Sequence, residues 1–194
     1  TRGAELGIRN NYNTENYNIN INVIGHFSQN SEDILFVSSG TGLSSGYFKN
    51  FGKTNRLGFD LSLRAEKNKQ KKGFQTSIIN YSYLKATFQS AHTLPAANHP
   101  NGSNDIEAGD IIPGMPLHKI NAKTTFGLNN KFNISLGALG VTGVYLRGDE
   151  SNQLNKTSSY MVFNLESKYQ PAKNINVFAR IDNILDSKYE TCLL

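Results

Sequence analysis

The sequence contains no tryptophan and a single cysteine, Cys192, in 194 residues. One cysteine excludes an internal disulfide framework, and Cys192 reads as incidental rather than as a nucleophile. No apolar run approaches the ~18 residues of a membrane-spanning helix. Prolines are few, and four of the five (Pro95, Pro100, Pro113 and Pro116) fall in one stretch. There is no HExxH motif, no cysteine cluster and no Ser/His/Asp order with supporting context, so the chain does not read as an enzyme and implies no cofactor. The opening residues, Thr1-Arg2-Gly3-Ala4-Glu5-Leu6-Gly7, include neither an initiator Met nor a basic, then apolar, leader. They read as the start of a fragment.

What the chain has in quantity is alternation. In 158–189, Met161, Phe163, Leu165 and Tyr169 fall on one side, and Val162, Asn164, Glu166 and Lys168 on the other. Pro171-Ala172-Lys173-Asn174 has turn chemistry. Ile175, Val177, Ala179 and Ile181 then share a face opposite Asn176, Arg180 and Asp182. A period of two over this length predicts strands. The same period recurs along the chain. Leu6, Ile8 and Tyr12 alternate with Glu5, Gly7 and Arg9; Tyr17, Ile19, Ile21 and Val23 alternate with Asn18, Asn20 and Asn22. Leu57, Phe59, Leu61, Leu63 and Ala65 alternate with Gly58, Asp60, Ser62, Arg64 and Glu66. The run 74–88 is strand-like, with a blurred parity at Ile78-Ile79. Ile120, Ala122, Thr124, Phe126 and Leu128, then Phe132, Ile134, Leu136 and Ala138, continue the apolar set.

About eight strands result. Their connections alternate: short at 13–16, 67–73, 129–131 and 170–174, long at 29–53, 89–117 and 147–157. One apolar and one polar face in every strand, with short turns at one end and long loops at the other, is the plan of a transmembrane β-barrel, whose strands need only about ten alternating residues. Hydrophobic content of 38% and mean hydropathy of −0.44 are too low for a helical membrane protein but compatible with that plan. Tyr12 and Tyr17 bracket a turn on the apolar side, where an interfacial aromatic girdle belongs. Gly40, Gly42 and Gly46 have the wrong spacing for a dinucleotide loop, and no amphipathic helix follows them. Lys67, Lys69, Lys71 and Lys72 read as a solvated turn, because no aromatic platform accompanies them; no nucleic-acid partner is expected.

Five stretches carry a family resemblance. They are Tyr47-Phe48-Lys49-Asn50-Phe51-Gly52-Lys53-Thr54 running into Leu57-Gly58-Phe59-Asp60; Tyr81-Ser82-Tyr83-Leu84 with Phe88; Gly109-Asp110-Ile111-Ile112-Pro113-Gly114-Met115-Pro116-Leu117-His118; Arg147-Gly148-Asp149-Glu150-Ser151-Asn152; and Asp182-Asn183-Ile184-Leu185-Asp186 ending at Tyr189-Glu190-Thr191. In this order and spacing the chain resembles the C-terminal part of the barrel of TonB-dependent outer-membrane receptors. The resemblance implies an all-β, antiparallel transmembrane barrel segment, about eight strands of a roughly 22-stranded barrel with a plugged lumen. It implies the bacterial outer membrane, extracellular long loops and periplasmic short turns. The partners it implies are outer-membrane lipid, a metal-chelate ligand and the inner-membrane TonB energy-coupling complex. The default cargo is a ferric siderophore. Against that family pattern, 1–194 reads as a partial barrel without the plug domain or the final closing strand, and such a piece is not expected to transport alone.

Candidate ligand contacts lie in the outer loops: Arg147, Asp149 and Glu150 where a strand enters its loop, and His92 and His99 in the longest loop. His92 and His99 share that loop with Asp105 and Glu107 but lack tight metal-ligand spacing, so no metal site is assigned. Asn18, Asn20, Asn22, Arg64, Arg180 and Asp182 are expected to line the lumen. His26 and His118 are expected as polar rim residues. Two other readings share the strand pattern: a passive outer-membrane pore, and a soluble all-β binding or adhesive domain packing its apolar faces as a sandwich.

Overall fold

The computed structural model describes residues 1–38, 46–67, 74–95 and 102–190. Twelve strands run in chain order: β1 (Arg2–Asn13), β2 (Tyr17–Asn30), β3 (Ile34–Ser38), β4 (Gly46–Asn50), β5 (Thr54–Lys67), β6 (Phe74–Phe88), β7 (His92–Pro95), β8 (Ser103–Ile106), β9 (His118–Gly127), β10 (Phe132–Val141), β11 (Tyr160–Ala172) and β12 (Ile175–Ile181). Eight form one antiparallel sheet in the order β1-β2-β5-β6-β9-β10-β11-β12, while β3-β4 and β7-β8 are separate two-stranded hairpins. The meander links each sheet strand to its sequence neighbour. Its connections alternate between short (14–16, 68–73, 128–131, 173–174) and long (31–53, 89–117, 142–159).

The register carries the period of two from strand to strand. Residues directly opposite in an antiparallel pair share a face. Ile21 faces Leu63, Leu63 faces Ile79, and Ile79 faces Ala122. Ala122 faces Ala138, and Ala138 faces Phe163. On the reverse face, Asn20 lies opposite Arg64, Arg64 opposite Ile78, Ile78 opposite Lys123, and Glu166 opposite Arg180. The Ile78-Ile79 ambiguity is thereby resolved: Ile79 takes the apolar face, and Ile78 is an aliphatic residue among cations.

The apolar face is open to the surroundings. Leu6 is 79% and Ile8 68% exposed, and Leu57, Phe59, Leu136, Met161 and Val177 are exposed with them. Among the described residues no second sheet covers this face, as a sandwich would require. From Leu57 to Ala65 the apolar run spans about 26 Å along the strand. A continuous apolar surface of this extent marks contact with another apolar phase.

Local chemistry sets the strand ends. Thr14 closes the β1-β2 turn, its amide donating to the Tyr17 carbonyl (2.8 Å) while its Oγ1 accepts from the Tyr17 amide (3.0 Å). Asn129 closes β9-β10, its Oδ1 accepting from the Lys131 and Phe132 amides, both at 2.8 Å. Gly58 makes room for the His26 ring: a Cβ there would sit 2.0 Å from its Nε2, so the ring would have to move aside.

Three expectations change. The long connections 31–53 and 89–117 are not irregular throughout, because each folds a hairpin. The turn expected at 170–174 is tighter, since β11 runs through Pro171 to Ala172 with a register shift between Tyr169 and Ala172. A bulge removes the ladder bond that proline cannot donate. The second arm of the final hairpin ends at Ile181, because Asn183 and Asp186 adopt φ of 52° and 50°.

Leu61→Arg, on the apolar face, should destabilise the bilayer-inserted protein by about 2–4 kcal/mol, whereas Ser62→Arg, one residue along on the polar face, should cost little. Denaturant titration of both variants refolded into lipid vesicles checks this. Equal costs at the two positions would remove the two-faced reading of the sheet.

Candidate functional site

Buried apolar side chains gather at the long-loop end. The cluster holds Val37, Phe51, Ala86, Phe88, Leu94, Ile106 and Ile112, with Leu35 and Met115 packed against it. The members on strands come from a period-two choice, while Phe51, Ile112 and Met115 come from the loops. In β3-β4, Leu35 and Val37 share one face, and Ile34 and Phe36 the other. In β7-β8, Leu94 pairs with Asn104 and His92 with Ile106, so one face of that hairpin turns into the cluster. Ala86 and Phe88 are the last polar-face positions of β6. Phe51 and Phe88 meet at 5.0 Å between ring centroids. Each fully buried aromatic or aliphatic side chain contributes roughly 1.5–3 kcal/mol.

The stretch 109–118 is built as an added rung of the sheet. Gly109 takes φ of 109°, which lets the chain turn beside β6. The Gly109 amide donates to the Phe88 carbonyl and the Phe88 amide to the Asp110 carbonyl, each at 2.9 Å. The Ile112 amide then donates to Ala86 and the Leu84 amide to Leu117, each at 3.0 Å.

A polar clasp joins the β7-β8 hairpin to the loop 142–159. Asn104 Nδ2 donates to Glu150 Oε2 (2.6 Å) and to the Gly148 carbonyl (3.1 Å), and Asn104 Oδ1 accepts from the Ser151 amide (2.8 Å). Glu150 Oε1 accepts from the Gly148 amide at 3.0 Å. Asp149 accepts from the Gln153 and Leu154 amides at 2.8 and 3.1 Å. Asn152, at φ of 57°, makes reciprocal bonds to the Ile111 backbone at 2.6 and 2.9 Å. Burial pushes the Glu150 carboxyl above its ordinary range; hydrogen bonds from Gly148, its own amide and Asn104 oppose this, and the Asp149 charge adds to it.

A second clasp closes the first long loop. Asp33 Oδ2 accepts from Thr54 Oγ1 (2.6 Å) and Arg56 (2.7 Å), and Thr54 is fully buried. Burial would raise the Asp33 carboxyl, but Thr54, Arg56 and Asn30 together hold it below its ordinary value.

Between the cluster and the clasp lies a small cavity of about 50 Å³, lined by Leu35, Phe36, Phe51, Phe88, Ile112, Pro113, Met115, Arg147 and Glu150. Arg147 is exposed at its mouth, with its guanidinium 5.8 Å from the Phe36 ring centroid. Asp149 and Glu150, expected as ligand contacts, are 2% and 3% exposed and spend their oxygens on loop backbone and Asn104. His92 Nε2 lies 2.8 Å from the Phe51 carbonyl, and its ring packs against Phe51. His99, Cys192, Gly40, Gly42 and Lys69, Lys71 and Lys72 lie outside the described residues. Among the described residues no group of three His, Cys, Asp or Glu is placed to hold a metal ion.

The polar residues expected along the strands share one face. Asn18, Asn20 and Asn22 oppose Glu66, Arg64 and Ser62. Arg64 pairs with Glu66, Lys123 Nζ donates to Glu166 Oε2 at 2.6 Å, and Arg180 Nε donates to Asp182 Oδ1 at 2.7 Å. Sequence reasoning missed Asn104, Asn152 and the Asp33-Arg56 pair. Their partners lie between 21 and 47 residues away, so no local signal marks them.

The model of the TonB-dependent receptor-like β-barrel matches residues 1–184. The chain belongs to the TonB-dependent receptor family. Among solved structures, it is similar to the siderophore receptor PiuA from Acinetobacter baumannii, with a TM-score of 0.70 and 18% identity over 96% of this chain and 24% of that one. It is also similar to the copper transporter OprC, with a TM-score of 0.60 and 15% identity over 97% of this chain and 26% of that one. The chain thus spans about a quarter of each of these structures. No curated protein matches it by sequence. At these identities the likeness speaks for the fold, an antiparallel segment of β-barrel wall. The family hits are transport receptors rather than enzymes.

The clasp of this receptor segment carries a pH signature. The folded Glu150 carboxyl sits above its ordinary value, so its contribution is full below that value of 4.5 and is lost as pH climbs through the raised one. Amide protection over 102–112 and 146–154, corrected for intrinsic exchange, should fall across that window in the wild type. In Glu150→Gln it should stay level. Since glutamine offers one acceptor oxygen to two donors, a uniform loss of protection is expected as well. A wild-type profile that does not vary with pH would show that Glu150 is not strained by burial.

Proposed function

We propose that this chain forms part of the wall and outer-loop cap of an outer-membrane receptor that imports a scarce metal chelate, with a ferric siderophore as first choice. The observation that carries the reading is the superposition of nearly the whole chain on the siderophore receptor PiuA, at a TM-score of 0.70, with every long connection at one end of the sheet. In this reading the apolar face meets membrane lipid and the polar face the lumen, which Asn18, Asn20, Asn22, Arg64, Arg180 and Asp182 would line. The long connections are extracellular and the short ones periplasmic. Energy comes from the inner-membrane TonB complex, engaged by parts of the receptor beyond this segment.

Arg147 is the cargo contact the geometry favours. It is cationic and exposed, and it is backed by the Phe36 ring at a cavity mouth. Iron chelates with carboxylate or catecholate groups are anionic, and a partly desolvated charged hydrogen bond contributes about 1.5–3 kcal/mol. Asp149 and Glu150 act one step back, by shaping the loop that carries Arg147. His92 steadies Phe51 in the cluster beneath.

The test is radiolabelled iron uptake in a strain deleted for the receptor and complemented with the full-length gene. Wild type should restore uptake of a ferric siderophore that collapses when the proton gradient is dissipated. Arg147→Ala should raise the half-saturation concentration roughly tenfold or more. Restored copper accumulation without iron uptake would assign the cargo to copper. Uptake that survives loss of the gradient would favour a passive pore.

A further inference from the structure

Charge is sorted between the two faces of the sheet by sign as well as by amount. Every Asp and Glu within the eight sheet strands (Glu5, Asp60, Glu66 and Glu166) lies on the polar face. The charged residues on the apolar face are cationic, and they stand at its ends. Arg2 and Lys85 are at the long-loop end, and Lys67 is at the short-turn end. A wall that only had to avoid charge would show no preference of sign. A surface that meets anionic headgroups would.

Lys85 has the more developed surroundings. It pairs across with Leu57, which pairs with Phe27, which pairs with Ala4. It is therefore the one charge in an otherwise apolar row. It is exposed, and no acidic partner lies within ion-pair distance among the described residues. Two positions below it on the same strand and face is Tyr83, whose direct partner on β9 is His118. Lys85 and His118 are thus diagonal neighbours, a separation of about 7–8 Å that one phosphate group bridges with the help of a long lysine side chain. His118 is itself held in place. Its Nδ1 is 2.7 Å from the Tyr81 hydroxyl, and its ring packs against Tyr83 at 5.2 Å. A Tyr81 hydroxyl that donates to Nδ1 leaves the ring proton on Nε2, free to donate outward.

We propose that Lys85 and His118, buttressed by Tyr81 and Tyr83, form a site on the apolar face for the phosphate of an anionic lipid in the leaflet that borders the long loops. The lysine supplies the charge, the histidine a directed N–H, and the tyrosines an aromatic platform at headgroup depth where such rings settle. The apolar face beside and below it, with Leu57, Phe59 and Ile120, takes the acyl chains. The site rests on reading the apolar face as a membrane wall, and it does not depend on the cargo.

Native mass spectrometry of the complete receptor in detergent, titrated with lipid A, tests the proposal. Lys85→Gln and His118→Gln should each weaken the tightest lipid-binding event, by about fivefold for the lysine at low salt, with the loss fading as ionic strength rises. Lys67→Gln, at the opposite end of the same face, should leave it unchanged. Inorganic phosphate at the same concentration should not displace the lipid, because the acyl chains provide much of the binding. Undiminished lipid binding in the Lys85→Gln/His118→Gln double variant would overturn the site, as would full displacement by inorganic phosphate or an equal loss in Lys67→Gln. Each variant is first checked for the heat-modifiable gel shift of a folded barrel. A wild-type receptor without that shift would overturn the membrane-wall reading itself, which separates the two failures.

Discussion

Backbone satisfaction is the constraint on which the structure depends. A strand in hydrocarbon has no water to bond its amides and carbonyls, so each must pair with a neighbouring strand. The ladder fixes the register, and the register then decides where every side chain goes. A slip of one residue between β2 and β5 would exchange Ile21 and Leu63 with the Asn20 and Arg64 row and bring Asn and Arg to the apolar face. The sheet therefore needs no buried core of its own. Phe88, Ser135 and Val162 are buried within it, but few of its large apolar side chains are, and many are exposed. At the two ends of the order, β1 and β12 each have one sheet neighbour among the described residues.

The loop end obeys different rules. There the chain packs like a water-soluble domain, with Phe51, Phe88, Leu94 and Ile106 fully enclosed and buried polar groups bonded in networks. The two clasps anchor different loops: Asp33 ties the first long loop to the start of β5, and Asn104-Glu150 ties the β7-β8 hairpin to the neighbouring loop 142–159. Burial raises both carboxyls, yet they end on opposite sides of their ordinary values. Asp33 is over-compensated by a guanidinium and a hydroxyl, whereas Glu150 receives neutral donors and sits beside the Asp149 charge. One clasp is thereby strongest when ionised and the other when protonated.

This division explains what the sequence makes legible. Period-two alternation is local, so the sheet strands can be read from single segments such as 17–23 and 57–65, and their faces too, except in 74–88, where Ile78-Ile79 blurs the parity until the register is known. The alternation of short and long connections is local too, and it brings the barrel plan into view before any contact is known. The hairpins β3-β4 and β7-β8 are hidden because strands of four or five residues give too few alternations to stand out, and Gly- and Pro-rich surroundings mask them. The clasps are hidden for another reason. Glu150 reads as an outer-loop ligand contact until Asn104, 46 residues away, is seen against it. Likewise, the terminal hairpin reads as two long arms until the left-handed Asn183 ends the second. Its side chain accepts from the Ser187 amide at 2.9 Å and donates to the Ser187 carbonyl at 3.0 Å.

The wall and the cap also differ in what they leave free to change. On the wall, almost any apolar residue satisfies one face, and any polar residue with a cross-strand partner satisfies the other. Lys123 of β9 reaches past β10 to Glu166, and Arg64 pairs with Glu66 along β5, so charges on that face stay paired both across and along the strands. That tolerance is consistent with a fold retained at 18% and 15% identity to a siderophore receptor and a copper transporter. Under the proposed receptor role, cargo choice would fall where side chains are individually placed rather than where they merely alternate. In this chain that is the loop end, where Arg147 and Phe36 stand beside a cavity while the sheet beneath stays generic.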